Sequence, residues 1–123
     1  MKKESFTIQK SPFIVPTDDG KRIAEHFGLA SDGNSKISIA HMTAPPGWSE
    51  PFQTPLFDEY TFIISGKKQF KIGEKSIVLE KGQSIKINAG TRVQYSNPFI
   101  EPCDYISICK PAFDFKLVNR EEK

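Results

Sequence analysis

GWSEPFQTPLFDEYTFIISG (residues 47–66) and GQSIKINAGTRVQYSN (residues 82–97) decide the fold. Both are short β-prone runs punctuated by glycine. Tyr60–Ile64 is made of aromatic and β-branched residues, the types that fit a pleated, half-buried surface. Ser65-Gly66 turns that run into Lys68–Ile72. Gly73-Glu74 suits a two-residue hairpin with glycine first, where φ must be positive. Ser76–Leu79, Ser84–Ile87 and Arg92–Ser96 follow, separated by Lys81-Gly82 and Ala89-Gly90. Asp104–Cys109 closes the series before Pro111.

Outward from this centre the pattern continues. Lys36–Thr43 alternates, with Ile37, Ile39 and His41 on one face and Ser38, Ala40 and Met42 on the other. The isoleucine face is expected to point inward, and it carries His41 with it. Ala44–Thr54 is a loop rich in Pro and Gly. Lys21–Phe27 reads as a short helix: Ile23 and Phe27 are four apart, Asp18 or Asp19 caps it, and Gly28 ends it. Phe13–Val15 is an apolar run stopped by Pro16. Residues 1–12 are expected to form a mobile arm or a strand around Phe6–Ile8. Phe113–Val118 adds a last strand, and residues 119–123 fray. Short strands at near-even spacing with little helix predict an all-β sandwich or barrel.

Composition bounds the function. The chain has 123 residues, which fits one domain over 1–123. Its formal net charge of +2, from 17 basic and 15 acidic residues, is spread along the chain. That argues against a nucleic-acid surface, which needs a clustered basic stripe. Lys67, Lys68 and Lys71 form the one tight group and read as a solvated strand face. Cys103 and Cys109 lack the spacing of a zinc or redox pair and suit reduced thiols in a cytoplasmic protein. No apolar run approaches the roughly 18 residues that cross a bilayer, so no membrane partner is expected.

The spacing of the two stretches resembles the cupin superfamily. Gly47, five residues, Gln53, Thr54, Pro55, three residues, Glu59, six residues and Gly66 follow the first cupin motif, G-x5-H-x-H-x3-E-x6-G. Gly82, five residues, Asn88, Ala89, Gly90, two residues, Val93, three residues and Asn97 follow the second, G-x5-P-x-G-x2-H-x3-N. Gly47, Glu59, Gly66, Gly82, Gly90 and Asn97 are identities. The likeness covers roughly residues 18–111, and Asp19 to Ala40 resembles the start of small single-domain cupins of the sugar-phosphate isomerase type. It implies a double-stranded β-helix, or jelly-roll barrel, with little helix, and a homodimer; strand edges near the termini are physically open to pairing.

The resemblance also implies a divalent transition metal held by three histidines and a glutamate, ligands suited to such ions. Here Gln53, Pro55 and Val93 occupy the histidine positions, and Glu59 alone remains. The usual site is therefore degenerate, and no cofactor is predicted by the usual motif. Glu59 should point inward with Thr61 and Ile63, where an unpaired carboxylate is costly. It is a candidate ligand, general base or substrate anchor. Its alternative is a relic bonded to a neighbour. Tyr95 shares a face with Val93 and reads as a pocket hydroxyl or a core aromatic. Trp48, Phe52 and Phe57 should border the mouth as a ligand clamp, a barrel cover or a dimer contact.

Three functions follow. The first is a barrel binding a small polar molecule, sugar-like or an oxo-acid, through Gln53, Glu59, Trp48, Phe57 and Tyr95. The second is a metal-independent isomerase or epimerase with His41 and Glu59 as acid and base and Tyr95 assisting. The third is a metal-dependent dioxygenase or lyase with a displaced site of His41, Gln53 and Glu59. His26 is expected to be solvated, and a serine–histidine–acid triad has no visible partner.

Overall fold

The computed structural model describes residues 5–122. Among these residues ten strands run in chain order: β1 Phe13–Val15, β2 Arg22–Phe27, β3 Ser38–Ala44, β4 Trp48–Ser49, β5 Asp58–Ser65, β6 Lys67–Ile72, β7 Lys75–Glu80, β8 Ser84–Ile87, β9 Val93–Asn97 and β10 Cys103–Lys110. They form a six-stranded sheet in the order β1-β2-β3-β10-β5-β8 and a four-stranded sheet in the order β4-β9-β6-β7. All pairings between these strands are antiparallel. The fold is all-β, a double-stranded β-helix whose two sheets face each other.

The two sheets pack on a core of Ala44, Trp48, Ile63, Phe70, Ile87, Val93, Tyr95, Cys103 and Tyr105. Phe70 and Tyr95 meet edge to face at 5.8 Å within it. A smaller cluster of Phe57, Cys109 and Val118 lies under the C-terminal segment. Gly73 turns β6 into β7 at φ +60, as the hairpin reading requires. Gly66 is needed twice over. Its φ is +76, and a Cβ there would collide with the Pro102 carbonyl and with Cys103 Cα. Both facts favour glycine, which has no side chain to clash and populates positive φ freely.

Several expectations are corrected. Lys21–Phe27 is no helix: Arg22–Phe27 is β2, paired with β1 and β3. A helix of that length forms too few hydrogen bonds to offset its nucleation, whereas a strand there completes two ladders. Asp19 does not cap a helix; its Oδ1 accepts from Lys21 N at 3.0 Å in a turn. Phe113–Val118 is no strand either, and a 3-10 turn spans Phe115–Leu117 with Asp114 accepting from Lys116 N. Phe6–Ile8 lies outside any strand, and Phe6 and Ile8 are exposed. Residues 1–4 of that predicted arm lie outside the described residues.

The phase of β3 is opposite to expectation. Ser38, Ala40 and Met42 face the barrel interior, and His41 lies on the outer face with Ile39 and Thr43. His41 stands opposite Ile106 of β10 and Ala24 of β2. The interior needs small side chains on β3 to leave a cavity. The outer face is itself apolar, so hydrophobicity does not distinguish the two sides. No helix among the described residues is long and apolar enough to cross a membrane.

Candidate functional site

The barrel encloses a cavity of about 520 Å3. Val15–Asp19, Leu29, Phe113 and Phe115 form its open side, and the two-sheet core forms its floor. Ile23, Met42 and Phe57 give it apolar walls.

β5 places Glu59 in this cavity, on the same face as fully buried Thr61 and Ile63. Pairing of β10 with β5 sets Ser107 opposite Thr61 and Cys109 opposite Glu59. Ser107 Oγ donates to Glu59 Oε2 at 2.5 Å, and Tyr95 Oη donates to Glu59 Oε1 at 2.5 Å. Each carboxylate oxygen thus holds one hydroxyl. Burial, reinforced by the Glu59 carboxylate, pushes the Tyr95 hydroxyl well above its ordinary range. Tyr95 is therefore a neutral donor at working pH. Burial likewise raises the thiols of Cys103, to about 11, and Cys109, so neither is a ready nucleophile.

Lys68 corrects another expectation. It is not on a solvated face: it is 2 % exposed and lines the cavity. Its Nζ lies 3.6 Å from the Tyr105 ring centroid, 4.7 Å from Tyr95 and 5.1 Å from Phe70. Among the described residues it makes no ion pair within 4.0 Å. Burial holds its ammonium down at about 8, partly offset by the charge of Glu59. The signal was present in the sequence, because Phe70 follows two residues later and shares its face.

Glu50, Gln53, Lys21 and Arg120 form a network at the cavity. Glu50, 6 % exposed, takes Lys21 Nζ at 2.9 Å and Gln53 Nε2 at 3.2 Å, and lies 3.4 Å from Arg120 Nη2. Gln53 Oε1 in turn accepts from Arg120 Nη2 at 3.3 Å. Gln53 therefore lines the cavity as part of a closed network. Trp48 and Phe57 also line it, both buried at 4 %. Trp48 Nε1 donates to Asp19 Oδ2 at 2.8 Å, and Lys21 Nζ sits 4.7 Å above its ring. Phe52 lies away from the cavity, under the Arg92 guanidinium at 3.8 Å. Glu50, Lys68, Ser107 and Arg120 were not anticipated. The strand pairing that brings Ser107 in joins positions 46 residues apart in sequence (107 − 61).

His41 is not in the site. Its Nε2 lies 3.5 Å from Asp104 Oδ1 on the outer face; that nitrogen is itself buried and has no hydrogen-bond partner among the described residues, while the side chain as a whole is half-buried. The expected His41–Glu59 acid–base pair and the displaced metal set of His41, Gln53 and Glu59 are therefore not assembled. The usual cupin metal does not fit these residues either. Val93 is fully buried and its backbone pairs with Gln53. The Gln53 amide and both Glu59 oxygens are already engaged. Among the described residues no group of three His, Cys, Asp or Glu side chains could hold a metal ion.

Endoribonuclease YbeY of Myxococcus xanthus is 40% identical over 108 residues, or 88% of this chain; the chain spans only 37% of that protein's length. An RmlC-like cupin from Shewanella frigidimarina superposes with a TM-score of 0.73 at 14% identity, covering 93% of this chain and 96% of its own. The polyketide cyclase RemF from Streptomyces resistomycificus also gives 0.73, at 12% identity, covering 100% of this chain and 87% of its own. At such identities the two structures speak for the fold alone. The family model described as "Cupin domain" matches residues 40–109, the span from the middle of β3 to the end of β10. With both motif spacings and the two-sheet barrel in place, this chain belongs to the cupin family.

Proposed function

We propose that the barrel binds a small carbonyl- or hydroxyl-bearing molecule, sugar-like or an oxo-acid, in the enclosed cavity and without the usual cupin metal. The observation that carries this reading is the unpaired, buried Lys68 beside the Glu59–Tyr95–Ser107 hydrogen-bonded group. Ammonium and hydroxyl donors suit oxygen acceptors, and the apolar walls suit the body of such a ligand. An enzyme reading survives only with Glu59 and Tyr95 as the proton-handling groups, since His41 is on the other side of the sheet.

The test is a thermal-shift and calorimetric screen of pyruvate, phenylpyruvate, glycolaldehyde and pentose sugars. At least one is expected to raise the Tm of the wild-type protein. Glu59→Gln keeps the shape but removes the charge that holds Tyr95 and Ser107, and is expected to weaken that binding about tenfold or more. Unchanged affinity in Glu59→Gln, or no response to any of these compounds, would sink the reading.

We further propose that the outer face of the six-stranded sheet pairs with a second copy. Tyr60, Phe62 and Ile64 of β5 are exposed at 40 %, 47 % and 39 %. Ile106 and Ile108 of β10 lie on the same face of the sheet. Contiguous apolar surface of this kind marks an interaction site. Sedimentation is expected to show a dimer that Phe62→Asp converts to a monomer; a monomeric wild-type protein at micromolar concentration would contradict this. The two buried free cysteines suit a reducing, cytoplasmic setting.

A further inference from the structure

We infer that Lys68 is an imine-forming residue: its amine condenses with the carbonyl of an aldehyde or ketone held in the barrel cavity. This rests on the reading of the cavity as a small-molecule site. It goes further, because it assigns a covalent step to a residue outside the cupin metal positions.

Three observations converge on Lys68. First, it is 2 % exposed yet lines the cavity, so its amine is screened from bulk water and open to a bound molecule. Second, it has no hydrogen bond or ion pair among the described residues. Lys21 and Arg120, the other cavity cations, both engage Glu50. A buried cation is ordinarily paired. Third, its ammonium lies over the faces of Tyr105, Tyr95 and Phe70, with no carboxylate within 4.0 Å among the described residues. These rings position the side chain in the cavity and favour its ammonium more weakly than a bonded carboxylate would, so the proton can still be given up. A lysine desolvated in an apolar pocket is the form in which this side chain acts as a nucleophile. Held at about 8, it carries on the order of a hundredfold more free amine at pH 7 than an ordinary lysine.

The step balances without any redox partner. The Nζ lone pair bonds to the carbonyl carbon while the C=O π pair moves onto oxygen. A proton passes from nitrogen to that oxygen, giving a carbinolamine. One proton taken up from solvent lets the oxygen leave as water, and the protonated imine remains. An imine withdraws electrons from the adjacent carbon, so loss of a proton there becomes easier. Glu59 lies in the cavity with Lys68 and has no cationic partner within 4.0 Å among the described residues; each of its oxygens accepts one hydroxyl and keeps a lone pair that can receive that proton.

Reductive trapping tests the assignment. Full-length protein is incubated at pH 7 with pyruvate or glycolaldehyde and sodium cyanoborohydride, then mapped by peptide mass spectrometry. The expected product is Lys68 carrying the mass of the probe less one oxygen atom. It should form about tenfold or more faster than on exposed Lys67 or Lys71. Lys68→Arg should abolish that product and leave labelling of Lys67 and Lys71 unchanged. Labelled Lys67 and Lys71 with unmodified Lys68 in the wild-type protein would overturn the inference, and this result does not depend on the variant folding. If the same probes raise the Tm without trapping, the imine fails and the binding reading stands. If they neither bind nor trap, and the wider screen is also silent, both fall.

Discussion

Lys68→Met is expected to make the protein more stable at pH 7, by about 2 kcal/mol. The ammonium of Lys68 is held at about 8 in the folded protein against 10.5 in the unfolded chain. Below pH 8 both states carry the proton, and the folded state bears the full cost of burying it. Between 8 and 10.5 the unfolded chain still binds a proton that the folded state has released, so stability rises with pH. Above 10.5 both are neutral and the cost is gone. The gap corresponds to about 3 kcal/mol at neutral pH. Methionine forfeits the attraction of the ammonium to three aromatic faces and returns part of it through sulfur–aromatic contacts, which brings the net gain to about 2 kcal/mol. Urea denaturation of both proteins from pH 6 to pH 10.5 checks this. Comparing the variant with the wild type at each pH cancels the titration of other groups. The gain should be flat below pH 8 and fade toward pH 10.5; a destabilised variant, or a gain independent of pH, contradicts it. A side chain that lowers stability at working pH inside the barrel cavity fits the proposal that it is kept for what it binds.

The parts of the fold that were legible in the sequence are those where local pattern and global structure agree. β5 alternates between buried Thr61 and Ile63 and exposed Tyr60 and Phe62. The strongly β-prone run and the motif spacing together fixed its phase, and Glu59 came with it. On β3 the same rule failed, because Ile39 and His41 lie on an outer face that Ile106 and Phe62 also make apolar. With apolar side chains on both faces, alternation has no contrast to read. Lys68 was misassigned through its charge, although Phe70 on the same strand face marks the position as interior. Ser107 and Glu50 carry no local signal at all; only the β10–β5 register and the approach of Lys21 and Arg120 give them a role. The candidate site is thus half a matter of strand phase and half of long-range pairing, and sequence reading reaches only the first.

Asn97→Ala is expected to cost about 3 kcal/mol or more. Asn97, at the end of β9, is fully buried. Its amide nitrogen donates to the carbonyls of Ala44 at 3.1 Å, Pro45 at 3.3 Å and Glu101 at 2.8 Å. Its side-chain oxygen accepts from Phe99 N at 3.1 Å, and its backbone carbonyl accepts from Gly47 N at 2.7 Å. One residue therefore fastens the end of β3, the turn into β4 and the loop before β10. Alanine leaves several of these backbone groups without their partner in a site closed to water, and each loss costs on the order of 1 kcal/mol or more. Asn97→Asp preserves the acceptor for Phe99 but sets a carboxylate against three carbonyls, so it should not rescue stability. Urea unfolding of both variants is the measurement, and an alanine variant within about 1 kcal/mol of wild type would show that water replaces the amide. Asn97 does not line the cavity, so the folded fraction of either variant should bind ligand with unchanged affinity. That outcome would separate the two things the motifs specify: Asn97 and Gly66 hold the barrel shut, while the chemistry depends on what Glu59 and Lys68 present to its interior.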